Sequence, residues 1–409
     1  MITISAAIKT LLSQVIPLEE TLTVNLSHAL GSVLAEDIIA PINVPPAANS
    51  AMDGYAINIQ DLSSVPNSTT LLAVSQTIAA GHPASALTAG TAARIFTGGE
   101  IPPGANAVVM QEQCVIQDST QGNTVEVPSA IPLNNNIRPQ AQDIQQGECI
   151  VKQGRHIQPQ DLGLLASVGI SHLMVYRKLR VAILSTGDEL VEPGKPLTAG
   201  KIYNSNRYLL QGFLQKMGIE TIDCGDIEDT ASATISALKA AASADCIIST
   251  GGVSVGDEDH VKDAVMQLGE LGVWRIAIKP GKPVAFGSIF STSSSNKKTP
   301  FIGLPGNPAA VFITFLLLAR PFLMQLQHQT YQAPKGTFIK ANFSHQENPK
   351  RQEYLRAKIN DQGTVDIYKN QSSGVLSSIS WAEGLVLVPP QTAINSGDTV
   401  EFIRFVDLF

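Results

Sequence analysis

The chain has 409 residues, 44% of them hydrophobic and 15% charged, with a formal net charge of −7. Single cores stop growing near ~250–300 residues, so two or more globular domains are expected. The acidic balance argues against nucleic acid as a partner, so any anion site must be a local concentration of Lys, Arg and backbone donors. Cys114, Cys149, Cys224 and Cys246 form no C-x-x-C pair. Neither a zinc site nor a disulfide framework is suggested, and a reducing compartment is the natural setting.

Residues 1–20, MITISAAIKTLLSQVIPLEE, lack a basic segment followed by a cleavable apolar stretch and read as an amphipathic helix. Residues 1–48 and 139–177 carry helical stretches and are expected to meet as an N-terminal mixed helical and linker domain around an inserted β domain at 49–138. The insert is rich in Pro, Gly, Ser and Thr, with short β-like runs such as TLLAV, AARIF and NAVVM. It contains PAANSAMDGYAI (46–57), which puts Asp53 in a tight turn, and TGGEIPPGANAVV (97–109), which begins with Thr97. Each alone reads as a turn. Arg138 and Asp143 in NIRPQAQDI, taken alone, read as a surface ion pair of little energetic value.

Residues 178–328 change rhythm. The runs RVAILS (180–185), IETIDC (219–224), ADCIIS (244–249) and TPFIGL (299–304) are short and apolar, with β-branched residues. Helical segments at 203–218, 230–243, 259–271 and 307–326 alternate with them. Such alternation predicts an α/β domain of mostly parallel sheet with helices on both faces. The stretch AAVFITFLLLA (309–319) is shorter than the ~20 residues of a spanning helix and is expected to be a core helix. A soluble, cytoplasmic protein without a membrane partner follows. STSSSNKK (291–298) reads as a surface hairpin tip. In 329–409, GLVLVPP and DTVEFIRF suggest a C-terminal β domain.

The chemistry-bearing residues of the α/β segment fall in one kind of place. STGDEL (185–190), GDIED (225–229), STGGVSVGDED (249–259) and GLPGNP (303–308) each follow a predicted strand. Open α/β sheets bind ligands at those C-terminal strand ends. Thr186, Ser249, Thr250 and Ser254 offer hydroxyls, and Gly251, Gly252 and Gly256 offer close backbone donors. Asp188, Glu189, Asp229, Asp257 and Asp259 read either as hard oxygen ligands for Mg²⁺ or as helix caps and turn residues. In IKPGKPVAF (278–286), Pro280 and Pro283 stiffen a turn bearing Lys279 and Lys282. That turn is either an anion holder or a solvated loop.

In chain order, SAMDGYA, STGDEL, Y-x-x-N-R, GGVSVG-x-x-D, IKPGKP-x-AFG and GLPGNP span residues 50–308. This series resembles the molybdopterin molybdenumtransferase (MoeA) family, to which the gephyrin E domain is related. The resemblance implies an elongated four-domain chain that forms homodimers. Its α/β molybdopterin-binding domain would be like the stand-alone adenylyltransferases, and its C-terminal β domain barrel-like. It implies molybdate insertion into adenylyl-molybdopterin with AMP release, assisted by Mg²⁺, in a site shared between subunits. The catalytic positions it implies are Asp53, Asp143, Glu189, Asp229 and Asp259, with Asp53, Glu189 and Asp259 also holding metal. Substrate would be bound by Thr97, Arg138, Thr186, Asn206, Gly251, Gly252, Ser254, Lys279 and Lys282. Pro305, Pro308, Arg351 and Ser373 complete that implied set. A molybdopterin adenylyltransferase and molybdoenzyme-maturation proteins would be transient partners. The family's R-x-x-G-E-D reads RPQAQD here, and Arg275 stands where many relatives have lysine. Two other functions remain compatible with the motifs: adenylyl transfer itself, or a non-catalytic scaffold.

Overall fold

The computed structural model describes residues 1–119, 122–252, 260–290 and 298–408. The α/β unit is built on six strands: β1 Arg180–Thr186, β2 Glu220–Ile227, β3 Cys246–Thr250, β4 Gly269–Arg275, β5 Pro283–Phe290 and β6 Lys298–Leu304. Its helices are α1 Ser205–Lys216, α2 Ala231–Ala241, α3 His260–Leu268 and the continuous α4 Pro308–Leu326. The spatial order is β2-β1-β3-β6-β5-β4. The first four of these neighbours run parallel, while β5 and β4 are antiparallel additions. β1 and β3 are buried along nearly their whole length, as strands covered on both faces must be.

The predicted helical segment 259–271 ends at Leu268, and the chain turns directly into β4. Glycines make that strand possible. A Cβ on Gly269 would lie 1.8 Å from the Ser288 carbonyl oxygen, and one on Gly287 would lie 2.0 Å from that of Glu270. The two strands can approach only where side chains are missing.

α4 runs longer than the apolar stretch 309–319, because it passes through a π segment at Phe315–Ala319 and continues over Pro321. Its 19 residues are long and apolar enough to cross a membrane, but 83% of that window is buried in the core. Phe315 stacks on Phe213 of α1 with ring centroids 4.5 Å apart.

The segments flanking the insert share a core made by Ala29, Leu34, Ile38, Val151, Leu165 and Val175. Thr21–Asn25, His172–Tyr176 and Val33–Leu34 form its three-stranded antiparallel sheet. The helix Ile4–Leu12 instead packs its buried Ile4, Ala7 and Leu11 into the core of the α/β unit. Ile2 pairs there too: its N–H donates to the Arg275 carbonyl at 3.0 Å, and its carbonyl accepts from Ala277 at 2.8 Å. The insert is a six-stranded sheet that includes Gly54–Ile57, Thr69–Ile78, Thr91–Ile95 and Ala107–Met110.

The C-terminal sheet is ordered Ile278–Lys279, Gln352–Ile359, Gly384–Val388, Thr399–Arg404 and Thr337–Lys340. Its first strand comes from the α/β segment, just before the KPGK turn. Ile278 and Lys279 pair in parallel with Gln352 and Glu353, so the two units share a sheet. Of the expected hairpin tip at 291–298, residues 291–297 lie outside the described residues and Lys298 begins β6.

Candidate functional site

The strand order reverses direction between β1 and β3, which places the loops after them on either side of a switch point. The two loops touch. A Cβ on Gly251 would sit 3.5 Å from the Thr186 carbonyl oxygen, and Gly251 has φ +85°. That spacing is ordinary van der Waals contact, so it is the left-handed backbone that favours glycine at 251. Its N–H donates to the Leu304 carbonyl at 3.2 Å, tying the β3 loop to the end of β6.

Next to this edge lies a cleft of about 470 Å³. Gly251 and Gly252 form one wall, Lys279 and Lys282 of the KPGK turn another, and Pro305 to Asn307 a third. Arg351, Gln371, Ser372 and Ser373 of the C-terminal unit close it. The N-terminus of α4 joins two of these walls, since the Ala309 N–H donates to the Ser373 carbonyl at 2.9 Å. Pro308 occupies the first turn of that helix, where no N–H is needed.

The KPGK turn is held from below. Lys279 Nζ lies 2.9 Å from Glu353 Oε1, and Glu353 is 2% exposed. His345 Nε2 and Asn348 Nδ2 reach the same carboxylate at 2.6 Å and 2.7 Å. Burial pushes the Glu353 carboxyl up, but hydrogen bonds from Asn348, Lys279 and His345 outweigh it and hold it below the usual range. No carboxylate stands at ion-pair distance from Lys282 or Arg351 among the described residues. The cleft thus carries cations whose charge no described carboxylate matches.

Of the sequence-predicted binders, Gly251, Gly252, Lys279, Lys282, Pro305, Arg351 and Ser373 all line this one cleft. Asn206 stands beside it, donating from Nδ2 to the Gly306 carbonyl at 2.7 Å. Its Oδ1 is buried without a partner among the described residues, as are the hydroxyls of Ser185 and Ser249 at the ends of β1 and β3. Arg207, the other half of the Y-x-x-N-R motif, is buried among Glu192, Asp223 and Asp226 and anchors α1. Thr186 is buried at the end of β1. Glu189 is exposed beyond it, its carboxylate folded over Gly187, where a Cβ would lie 2.4 Å from Oε2. Asp229 is partly exposed just before the helix-capping Thr230. Ser254, Asp257, Glu258 and Asp259 lie outside the described residues.

The residues expected from the first half of the chain do not line this cleft. Thr97 donates to Asp53 Oδ1 twice, from its N–H at 2.7 Å and its hydroxyl at 2.8 Å. These bonds, the backbone one foremost, hold the Asp53 carboxyl below the ordinary aspartate range. Arg138 pairs through its backbone with Asn49, and the Asp143 N–H donates to the Val44 carbonyl at 2.9 Å. The surface ion pair expected of Arg138 and Asp143 is not formed among the described residues. Each is fixed by its own backbone partner, and both side chains are exposed.

Glu353, Gln371 and Ser372 escaped the sequence reading. RQEYLR does carry a signal: a strand with a carboxylate and an arginine at buried positions, 353 and 356, is unusual unless polar partners await both.

Residues 2–169 match the family model of the MoeA N-terminal region (domain I and II). Residues 182–325 match that of a "probable molybdopterin binding domain", and residues 339–405 that of the MoeA C-terminal region (domain IV). The chain is 37% identical over 412 residues to a molybdopterin molybdenumtransferase of Haemophilus influenzae, covering 99% of each. It is 34% identical to one from Nostoc sp., covering 93% of this chain and 88% of that one. Among solved structures it is similar to the molybdopterin biosynthesis MoeA protein of Pyrococcus horikoshii OT3, with a TM-score of 0.83 and 28% identity over 99% of this chain and 100% of that one. With three family segments in order and a relative matched end to end, the chain belongs to the MoeA family of molybdopterin molybdenumtransferases.

Proposed function

We propose that this chain inserts molybdenum from molybdate into adenylyl-molybdopterin and releases AMP. The observation that carries this reading is the cleft in which Lys279, Lys282, Arg351, Ser373 and Gly251 converge at the ligand-binding edge of the sheet. It is a site for a small, doubly charged oxyanion. Lys282 and Arg351 are free to give charge-assisted hydrogen bonds to it. Gly251 and Gly252 let backbone approach a neighbouring phosphate. Cations fixed beside the scissile phosphoryl group stabilise the charge that develops on its oxygens as AMP departs.

Among the described residues, no group of three or more His, Cys, Asp or Glu is assembled to hold a metal. Mg²⁺ keeps several waters and takes one or two carboxylates together with substrate phosphates, so it does not require such a group. Glu189 and Asp53, with Asp259, are the acids to hold it, and it would supply charge neutralisation to the pyrophosphate. Asp229 and Asp143 are assigned supporting roles, and Arg138 a contact to substrate. Because Asp53 and Thr97 sit in the inserted domain and not in the cleft, we assign them to the cleft of a second copy, which makes a homodimer the working unit. Transient contact with a molybdopterin adenylyltransferase and with maturation proteins fits a reactive substrate and product. Four cysteines without disulfides fit a reducing cytoplasm.

AMP release from adenylyl-molybdopterin, with and without molybdate and Mg²⁺, tests the activity. Release should require both and be lost in Glu189→Ala with its fold intact. Molybdate-independent release, or pyrophosphate release from molybdopterin and ATP, would refute the assignment. Mixing Glu189→Ala with Asp53→Ala subunits should restore activity in the hybrid dimers, since one of the two sites then carries both acids.

A further inference from the structure

Arg356 is the largest wholly buried side chain of the described residues, 1% exposed, on the strand Gln352–Ile359. No carboxylate stands at ion-pair distance from it among those residues. Its guanidinium donates from Nε to Ser378 Oγ at 3.0 Å and from Nη2 to the Ser372 carbonyl at 3.1 Å. The backbone beside it is clamped by Gln371, which accepts from the Arg356 N–H at 2.9 Å and donates to the Arg356 carbonyl at 3.0 Å. Gln371 and Ser372 both line the oxyanion cleft, and Arg356 does not.

A buried guanidinium without a counter-ion is costly to fold, and burial pushes this one down to about 10. In the same unit, the charge of Lys279 is already matched by Glu353. Among the described residues, Lys282 and Arg351 remain unmatched in the cleft, and Arg356, directly behind its Gln371–Ser372 wall, adds a third unmatched cation to the same anion site. We propose that Arg356 is a positioning residue for the oxyanion: it fixes the Gln371–Ser373 wall and lends the cleft a positive charge that the bound dianion balances. This rests on the reading of the cleft as the molybdate site.

The test compares full-length wild type with Arg356→Met and Arg356→Lys. Sodium molybdate is titrated calorimetrically into each, and AMP release is measured with molybdate and adenylyl-molybdopterin varied separately. Arg356→Met should weaken molybdate binding at least about tenfold, in Kd and in KM. The KM for adenylyl-molybdopterin, and kcat at saturating molybdate, should stay within about twofold, a split that general damage would not give. Arg356→Lys, which keeps the charge but not the two-point hold on Ser378 and Ser372, should fall between. Wild-type molybdate affinity in Arg356→Met, or parallel loss in kcat and both KM values, overturns this inference alone. Wild type that binds no molybdate overturns the cleft reading as well. If Arg356→Met does not fold, Arg356→Lys decides: an unchanged molybdate KM refutes the proposal, and a selective rise supports it.

Discussion

Replacing Gly281 by alanine should damage the KPGK turn in a way that can be divided into two parts. Gly281 has φ +109°, and a Cβ there would lie 2.4 Å from Thr314 Cγ2 on α4. That methyl cannot swing aside, because Thr314 is wholly buried and its hydroxyl donates to the Ala310 carbonyl at 2.6 Å. A left-handed backbone costs a non-glycine residue about 1–2 kcal/mol, and overpacking a core costs about 1–3 kcal/mol, so Gly281→Ala should lose about 2–5 kcal/mol. Thr314→Ser removes the offending methyl and keeps the hydroxyl, at a cost of about 1 kcal/mol alone. Combined with Gly281→Ala it should return the overpacking share and leave the backbone share. Urea unfolding followed by the fluorescence of Trp274, in β4, and Trp381, in the C-terminal unit, reads the stability, and AMP release reads the turn. A Gly281→Ala protein as stable as wild type, or a double variant no more stable than the single, would refute the reasoning.

Gly187→Ala should cut AMP release at least tenfold (about 1.4 kcal/mol) and cost stability only the backbone share, about 1–2 kcal/mol, because Gly187 has φ +141° while its Cβ displaces only the exposed carboxylate of Glu189. Since the folded Glu353 carboxyl lies below its usual range, its stabilisation is present at neutral pH and lost as pH falls through that lowered value. Glu353→Gln should therefore lower the urea midpoint near neutrality and flatten its fall on acidification, which a series of unfolding curves from about pH 7 to about pH 3 would show. Thr97→Ala removes the hydroxyl bond to Asp53 and should raise the Asp53 titration seen by NMR toward the ordinary aspartate value. Cys246 is wholly buried and burial drives its thiol far above the ordinary range, so iodoacetamide should label it only after unfolding.

Much of the α/β unit was legible because parallel strands are continuous apolar runs, and β1, β3 and β6 are of that kind. The start of β5 was read as part of a turn, since Pro283 and the preceding Gly281 disguise it. The first three residues of β4, 269–271, were absorbed into the helical segment 259–271, and the rest of the strand was not assigned. Gly251, Lys279 and Lys282 announced themselves by local chemistry, a flexible loop and a stiff cationic turn. Glu353 and Arg356 did not. Their importance comes from partners the local sequence does not show: Lys279, across the domain boundary, for Glu353, and the Ser372 loop of the same unit for Arg356. The same holds for the link between Ile2 and Arg275.

The segment from Arg275 to Lys279 is gripped on both sides by strands remote from it in the chain. Ile2 bonds to Arg275 and Ala277, while Gln352 and Glu353 pair with Ile278 and Lys279. The core around the central strands is itself completed from both sides, by Ile4, Ala7 and Leu11 of the N-terminal helix and by Tyr354 and Leu385 of the C-terminal unit. On the ribosome, the KPGK turn has its lysines but not their support until the residues around 352 have emerged. A chain cut before that point lacks Glu353 beneath Lys279 and Arg351 and Ser373 in the cleft wall. The joint between the two units thus makes the anion site a property of both: neither the support under Lys279 nor the Arg351–Ser373 wall exists within the α/β unit alone.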